Sequence, residues 1–548
     1  MCRIFSLVIV SGCLSVASGQ VKSAGPEAKS HGPKLVVGIV VDQMRWDFLY
    51  RYRTLYGTGG FERLLNEGFS CENTLLNYIP SYTAVGHAAI FTGSVPALDG
   101  ITGNEWTDQL TGKVVYCTGD SAEQGVGSTS SEGKMSPRNL LASTITDELR
   151  IATNFKSRVV GISLKDRAAI LPAGHMPTAA FWLDDINGHF ISSTYYLDKL
   201  PDWVIQFNDA DHIRKLLAND WNSLYPLEKY AQSDSVNQPY EGKFKGESIA
   251  VFPHRVKELY ANSPGSFRST PFGNSLTLEF AEAAVTGYGL GQGQGTDFLT
   301  INCASTDYVG HMFGPNSVEI EDTYLRLDQD LARFFRFLDQ KIGKGRYLVF
   351  LTADHGVAHS IGFMKKHRLP ADFWRGGPLA DSLNRILSST FGLRPLVRSI
   401  MNYQVNFDLG LITGRHLNFD SIKAMTVRFL REQPGIAYAL DIDRIGENPV
   451  PEPLKSMAVN GYYFKRSGGV QVILNPGWFE GFSPTGTTHG SWNPYDTHIP
   501  LVFMGWGIRH GTSNQPVQVT DIAPTLAALL QIQMPSACIG KPIGPLFP

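Results

Sequence analysis

The sequence predicts an α/β fold with a largely parallel central sheet, and two observations carry that prediction. Five short runs, at residues 35–41 (LVVGIVV), 159–163 (VVGIS), 298–303 (FLTINC), 347–352 (YLVFLT) and 499–505 (IPLVFMG), are apolar on nearly every residue. Continuous apolar runs suit strands buried on both faces. Between them, residues 61–67, 140–152, 276–285 and 324–338 carry the apolar spacing of helices. Strands alternating with helices place the helices on the faces of a parallel sheet. With 548 residues, 43% of them hydrophobic, the chain can bury a large core.

From the N-terminus, residues 1–20 (MCRIFSLVIVSGCLSVASGQ) combine Arg3, a short apolar run and small residues. This reads as an export signal, too short for a membrane anchor, with processing near Ala17-Ser18-Gly19. Alternatively, Val10-Ser11-Gly12-Cys13 resembles a bacterial lipobox, which would leave Cys13 lipidated and the protein anchored to the envelope by lipid, without a transmembrane segment. Residues 21–33 read as a flexible lead-in and 34–548 as one catalytic domain. Within it, residues 181–270 and 362–481 break the strand–helix rhythm and are read as insertions that cap the core. A formal net charge of −2 argues against nucleic acid or an acidic membrane surface as the main partner. Beyond the signal, Cys71, Cys117, Cys303 and Cys538 show no CxxC or zinc-finger spacing. One disulfide and four buried thiols fit equally well. The run GYGLGQGQG at 287–295 follows a helical pattern and leads into a strand, the reverse of a dinucleotide fingerprint, so it reads as a loop.

Ligands of parallel sheets gather at the carboxyl ends of strands. The first strand runs into Asp42. After the third comes STDYVGHMFGP, where Asp307 and His311 are four apart and share one face of a helical turn. The fourth leads into TADHG, with Asp354 and His355. Neighbours on a strand point to opposite faces, but a turn at Gly356 would bring both onto one ion. THGSWNPYDTHIP supplies His489 just upstream of the fifth strand. Three carboxylates and three imidazoles suit zinc and suffice for two ions with open positions. His87, His359 and His498 read as packing or supporting residues.

After the second strand, LKDRAAILPAGH places Lys165 and Arg167 two apart. In an extended turn both would project to one side and Asp166 to the other. Arg can grip two phosphate oxygens, and Lys adds a compact charge. The stretch IPSYTAVGHAAIFTG sets Ser81, Tyr82 and Thr83 ahead of a small-residue, helix-like run. Such a hydroxyl is inert at neutral pH unless a base or a metal lowers its pKa.

Together these motifs resemble those of the alkaline phosphatase superfamily, which includes phosphatases, nucleotide pyrophosphatases/phosphodiesterases, sulfatases and phosphoglycerate mutases. Within it the chain is similar to the secreted, single-chain, Thr-nucleophile alkaline phosphatases of Bacteroidetes, from about Lys34 to the C-terminal region. The resemblance implies a three-layer α/β/α core, export to the periplasm or medium, a monomer and small-molecule phosphate monoesters as substrates. It implies two Zn2+ ions, one held by Asp307, His311 and His489. The other would be held by Asp42, Asp354 and His355, with the Thr83 oxygen. Thr83 would be the nucleophile, forming a phospho-threonine intermediate, while Asn104 (in TGNEW), Lys165 and Arg167 contact the phosphoryl group. Ser81 and Tyr82 then remain loop residues.

SYTAVGH lacks the C/S-x-P-x-R motif of the sulfatases. A phosphodiesterase or nucleotide pyrophosphatase shares both the Thr and the Asn and is the alternative function. The Lys165/Arg167 pair favours the monoesterase, because a dianionic monoester presents more terminal charge than a diester. An inactive metal- or phosphate-binding surface protein is the alternative from another class; Thr83 and six ligands argue against it.

Overall fold

The computed structural model describes residues 32–392, 395–481 and 483–547. The export signal, the lipobox and most of the lead-in fall outside them. Ten strands form the main sheet: β1 (Leu35–Val41), β2 (Phe69–Cys71), β3 (Gly125–Val126), β4 (Val159–Ile162), β5 (Ala179–Asp184), β6 (His189–Ser193), β7 (Asp297–Cys303), β8 (Tyr347–Thr352), β9 (Leu501–Gly505) and β10 (Gly511–Ser513). Their spatial order is β10-β2-β9-β8-β1-β7-β4-β5-β6-β3. The central strands β8, β1, β7, β4 and β5 are parallel. Every residue of β1, β7 and β8 is buried, which explains their unbroken apolar runs. At Gly38 in β1 a Cβ would stand 2.5 Å from the Phe350 ring, so the glycine makes room for an aromatic on the neighbouring strand.

Helices cover both faces. Four of them, α1 (Thr83–Thr92), α2 (Ile145–Ala152), α3 (Asp166–Ala173) and α7 (Ile522–Leu530), pack on one another as one layer. On the opposite face lie α4 (Phe272–Tyr288), α5 (Ser305–Phe313) and α6 (Val318–Leu338). The result is a three-layer α/β/α core. Helix α2 starts later than its apolar pattern because Thr144 caps it: the Thr144 side chain accepts from the Asp147 N–H, and the Asp147 carboxylate accepts from the Thr144 N–H. Gly287 and Tyr288 still belong to α4, so the loop expected over 287–295 begins two residues later, at the C-capping Gly289, and leads into β7.

Three expectations need correction. The fifth predicted strand begins at Leu501, not at residue 499, because Pro500 lacks an N–H; Ile499 pairs instead with Thr74. This strand, β9, runs antiparallel to β8. The first predicted insertion also starts inside the sheet, since β5 and the antiparallel β6 occupy its opening residues. By contrast, residues 362–481 build a separate four-stranded antiparallel sheet, Val397–Met401, Gln404–Phe407, Val470–Leu474 and Ile436–Asp441 in that order. Gly376–Phe391 and Phe419–Arg431 pack on it, around an apolar cluster of its own.

Gly32–Pro548 form one compact unit. Cys71, Cys117, Cys303 and Cys538 are unpaired thiols. Among the described residues no helix is long and apolar enough to cross a membrane.

Candidate metal and phosphate site

Register puts the expected ligands side by side. Val41 lies opposite Cys303 and Val40 opposite Thr352, so Asp42, the start of α5 and Asp354 leave the sheet at one edge. Helix α5 carries Asp307 and His311 on one face, with His311 Nε2 3.1 Å from Asp307 Oδ1. His489 joins them from the segment before β9, its Nε2 3.6 Å from the same oxygen. Because β9 is antiparallel, its entry end lies where the parallel strands exit. Only that direction lets a residue upstream of a strand reach this edge.

Two groups of ligand atoms result. Asp307, His311 and His489 form one, and Asp42, Asp307 and His355 the other, each within 4.8 Å of one another. Asp307 therefore reaches both groups. Asp354, expected in the second, faces it through Oδ2, 3.4 Å from His355 Nε2; Asp42 Oδ1 is 3.7 Å from the same nitrogen. Both of these carboxylate oxygens are buried without a hydrogen-bond partner. Buried orphan oxygens are costly unless a ligand satisfies them.

All three imidazoles present the same nitrogen. Nδ1 of His355 donates to Gly356 O at 2.9 Å, that of His311 to Thr487 O at 2.8 Å, and that of His489 to Ser81 O at 2.7 Å. With Nδ1–H committed to a carbonyl, Nε2 carries the lone pair, and each Nε2 faces the carboxylates. This is how proteins orient imidazoles for metals. Burial holds His355 below its ordinary pKa, and burial with the neighbouring His355 and His311 holds His489 well below. Both stay in the neutral, ligating form. Burial and the adjacent Asp354 push Asp42 well above the usual carboxylate range, against the pull of Lys165. Such a site is short of positive charge, which a divalent cation supplies. The residues therefore fit metal ions.

Thr83 is the first residue of α1 and is 1% exposed. Its Oγ1 lies 3.4 Å from His355 Nε2, within the second group. The extended Tyr82 precedes it, so the hydroxyl sits at a helix N-terminus, where negative charge is favoured. Asn104 Oδ1 accepts from the Ala84 N–H at 2.9 Å. That bond fixes the amide orientation, with the oxygen on the Ala84 N–H and the NH2 left as a donor.

Lys165 and Arg167 do not sit in an extended turn: Lys165 stands at the N-cap position of α3, without a side-chain capping bond, and Asp166 and Arg167 are its first residues. Lys165 is buried, with Nζ 2.9 Å from Asp42 Oδ2 and 2.7 Å from Asp307 Oδ2. Against its burial, those two carboxylates hold its pKa above the ordinary lysine value. Arg167 donates to Tyr116 Oη at 3.1 Å, and Tyr116 in turn donates to Asp166 at 2.9 Å. The Arg167 Nε–H is buried without a partner.

The other histidines keep supporting positions. His359 lies between Asn316 and Arg45, and burial and the Arg45 cation push it down to about 3. His498 stacks on Trp46 and bonds the Glu72 carbonyl. His87 donates to the Thr83 carbonyl and stands 3.4 Å from Asp354 Oδ2. Sequence reading missed Gln43, Tyr116 and the carbonyls of Ser81, Gly356 and Thr487. A carbonyl is common to every residue, so composition gives no signal for it.

Carboxylates and imidazoles around a helix N-terminus, beside a lysine and an arginine, define an α/β protein with a candidate metal site at the carboxyl edge of its sheet. The chain belongs to the type I phosphodiesterase / nucleotide pyrophosphatase family, within the alkaline phosphatase superfamily: the family profile matches residues 36–496. It is 52% identical to alkaline phosphatase PafA of Elizabethkingia meningoseptica over 542 residues, covering 98% of each chain. Alkaline phosphatase PhoV of Synechococcus elongatus is 52% identical over 518 residues, 94% of this chain and 93% of that one. The crystal structure of wild-type PafA superposes with a TM-score of 0.93, covering 94% of this chain and 99% of that chain.

Proposed function

We propose that this protein is a zinc-dependent alkaline phosphatase that hydrolyses phosphate monoesters through a phospho-threonine intermediate on Thr83. The observation that carries the reading is Thr83 Oγ1, 3.4 Å from His355 Nε2 in a cluster whose three imidazoles all turn Nε2 toward carboxylates. Asp307, His311 and His489 would hold one ion. Asp42, Asp354 and His355, with the Thr83 oxygen, would hold the other. Bound zinc supplies Lewis acidity, which lowers the pKa of a hydroxyl and offsets charge on a leaving oxygen.

The chain's own groups do the rest. Thr83 attacks phosphorus in line with the leaving oxygen, and the N-terminus of α1 favours the negative charge that gathers there. The free NH2 of Asn104, the Lys165 ammonium and the unpartnered Nε–H of Arg167 hold the non-bridging oxygens. Water then takes the phosphoryl group from Thr83 while the same side chains hold the same oxygens. Little covalent work is asked of the protein beyond position and charge. Two cations on one phosphoryl group reward a dianion, so the monoester is the preferred substrate over the diester. Residues 1–20 support export of the protein, and 362–481 would cap the site. A monomer suffices, since every group named lies on one chain.

Chelation and rescue test the reading. Activity on an aryl phosphate monoester is expected to vanish with chelator and to return with two zinc equivalents. The matched diester is expected to show a much lower kcat/KM. Full activity without metal, or a strong diester preference, would overturn it. Thr83→Ala is expected to abolish turnover while zinc stays bound.

A further inference from the structure

Gln43 follows Asp42 at the end of β1 and is 2% exposed. Its φ is +65°, the left-handed region that disfavours any residue but glycine and that gathers at functional sites. In this conformation its two kinds of N–H diverge. The backbone N–H donates to Asp354 Oδ1 at 3.2 Å, and the side-chain Nε2 donates to Asp307 Oδ1 at 2.6 Å. In the assignment proposed above Asp354 and Asp307 hold different ions, although Asp307 lies within reach of both groups of ligand atoms. The Asp307 oxygen that Gln43 holds is also the one facing His311 and His489.

The surroundings enforce this placement. Thr306 Oγ1 donates to the Asp42 carbonyl at 2.6 Å, so the Asp42–Gln43 peptide is fixed from its other side. The amide orientation is also fixed, because only its NH2 can face a carboxylate. Its oxygen then lies against Gly310, where a Cβ would stand 2.0 Å from Gln43 Oε1. Any larger residue at 310 would displace the amide.

Resting on the two-zinc reading above, we infer that Gln43 is a positioning residue that ties the two ion sites together. Its side chain sets the Asp307 oxygen toward the first imidazole pair, and its backbone sets Asp354 toward His355. The strained conformation is what lets one residue serve both.

Two variants test this with zinc binding as the readout. Gln43→Gly keeps the backbone N–H and favours the same φ, so it removes only the side-chain amide. Metal-free protein would be titrated with zinc against a chromogenic chelator. One of two equivalents is expected to bind about 10- to 100-fold more weakly, the usual effect of losing a group that orients a ligand, with the other unchanged. Gly310→Ala, which leaves Gln43 in the chain but displaces its amide, is expected to weaken the same single equivalent. A merely structural role would lower the melting temperature and weaken both equivalents alike, or neither; either result would overturn the inference. Wild-type protein that fails to bind two equivalents would instead bring down the two-zinc reading and this inference with it.

Discussion

A Cβ on Gly86 would stand 2.3 Å from the Asp354 carbonyl oxygen and 2.6 Å from the Asp354 Cβ. The helix that begins at Thr83 therefore meets the loop of Asp354 and His355 backbone against backbone. No flexible side-chain tip lies between them, so a methyl at 86 must part the two segments. Gly86→Ala is expected to lower kcat on a phosphate monoester by about 100-fold, the scale of a ~1 Å misplacement. Steady-state kinetics check it; an unchanged kcat would show that helix and loop need not touch.

Asn104 has two tasks that substitution can separate. Asn104→Asp keeps an acceptor for the Ala84 N–H but removes the amide donor and sets a negative charge beside a negative substrate. A fall of about 10²- to 10³-fold in kcat/KM is expected, as for loss of one donor to a charged transition state, with the melting temperature held. Asn104→Ala is expected to lose both activity and some stability.

Tyr116 joins Arg167 to Asp166 through one hydroxyl. Tyr116→Phe leaves the guanidinium in place with less to orient it. One hydrogen bond is worth about 1 kcal/mol, so kcat/KM for the monoester is expected to fall about 5-fold. Loss through KM with kcat held would mark it as a binding effect, whereas no change would show that α3 alone sets the guanidinium.

His254 is fully buried between Glu247 at 2.9 Å and Glu319 at 3.3 Å. Against its burial, these carboxylates raise its pKa from 6.5 to about 9. A pKa raised on folding stabilises fully below the unfolded value, and the gain is lost as pH climbs through the folded one. Stability is therefore expected to decline between pH 6.5 and 9 by about 2–3 kcal/mol. Urea unfolding across that range should show the slope in wild type and flatten it in His254→Gln.

The core of this fold is readable because burial on both faces leaves no alternation to confuse, as in β1, β7 and β8. The edges are not. Strand direction depends on how a chain returns, and nothing in the composition of 501–505 distinguishes parallel from antiparallel. The six candidate ligands were legible because each adjoins a predicted strand. Gln43 was not, since its importance rests on a positive φ and on an empty space at Gly310. Lys165 and Arg167 were singled out as candidates but set in the wrong local structure, because the DRAAILPA segment starts its helix at Asp166 despite containing Pro172.

Strand β9 lies between β2 and β8 in the sheet, although it comes near the end of the chain. During synthesis, β2 is made early yet has no link to the sheet centre until β9 wedges in beside it. His489 arrives on the same late segment. A ribosome-bound or truncated chain would therefore hold a gap in the sheet and lack an imidazole at its edge. Such long-range closure is slow, so the Asp307, His311 and His489 group is completed only late in folding, once the segment that carries His489 and β9 has been made.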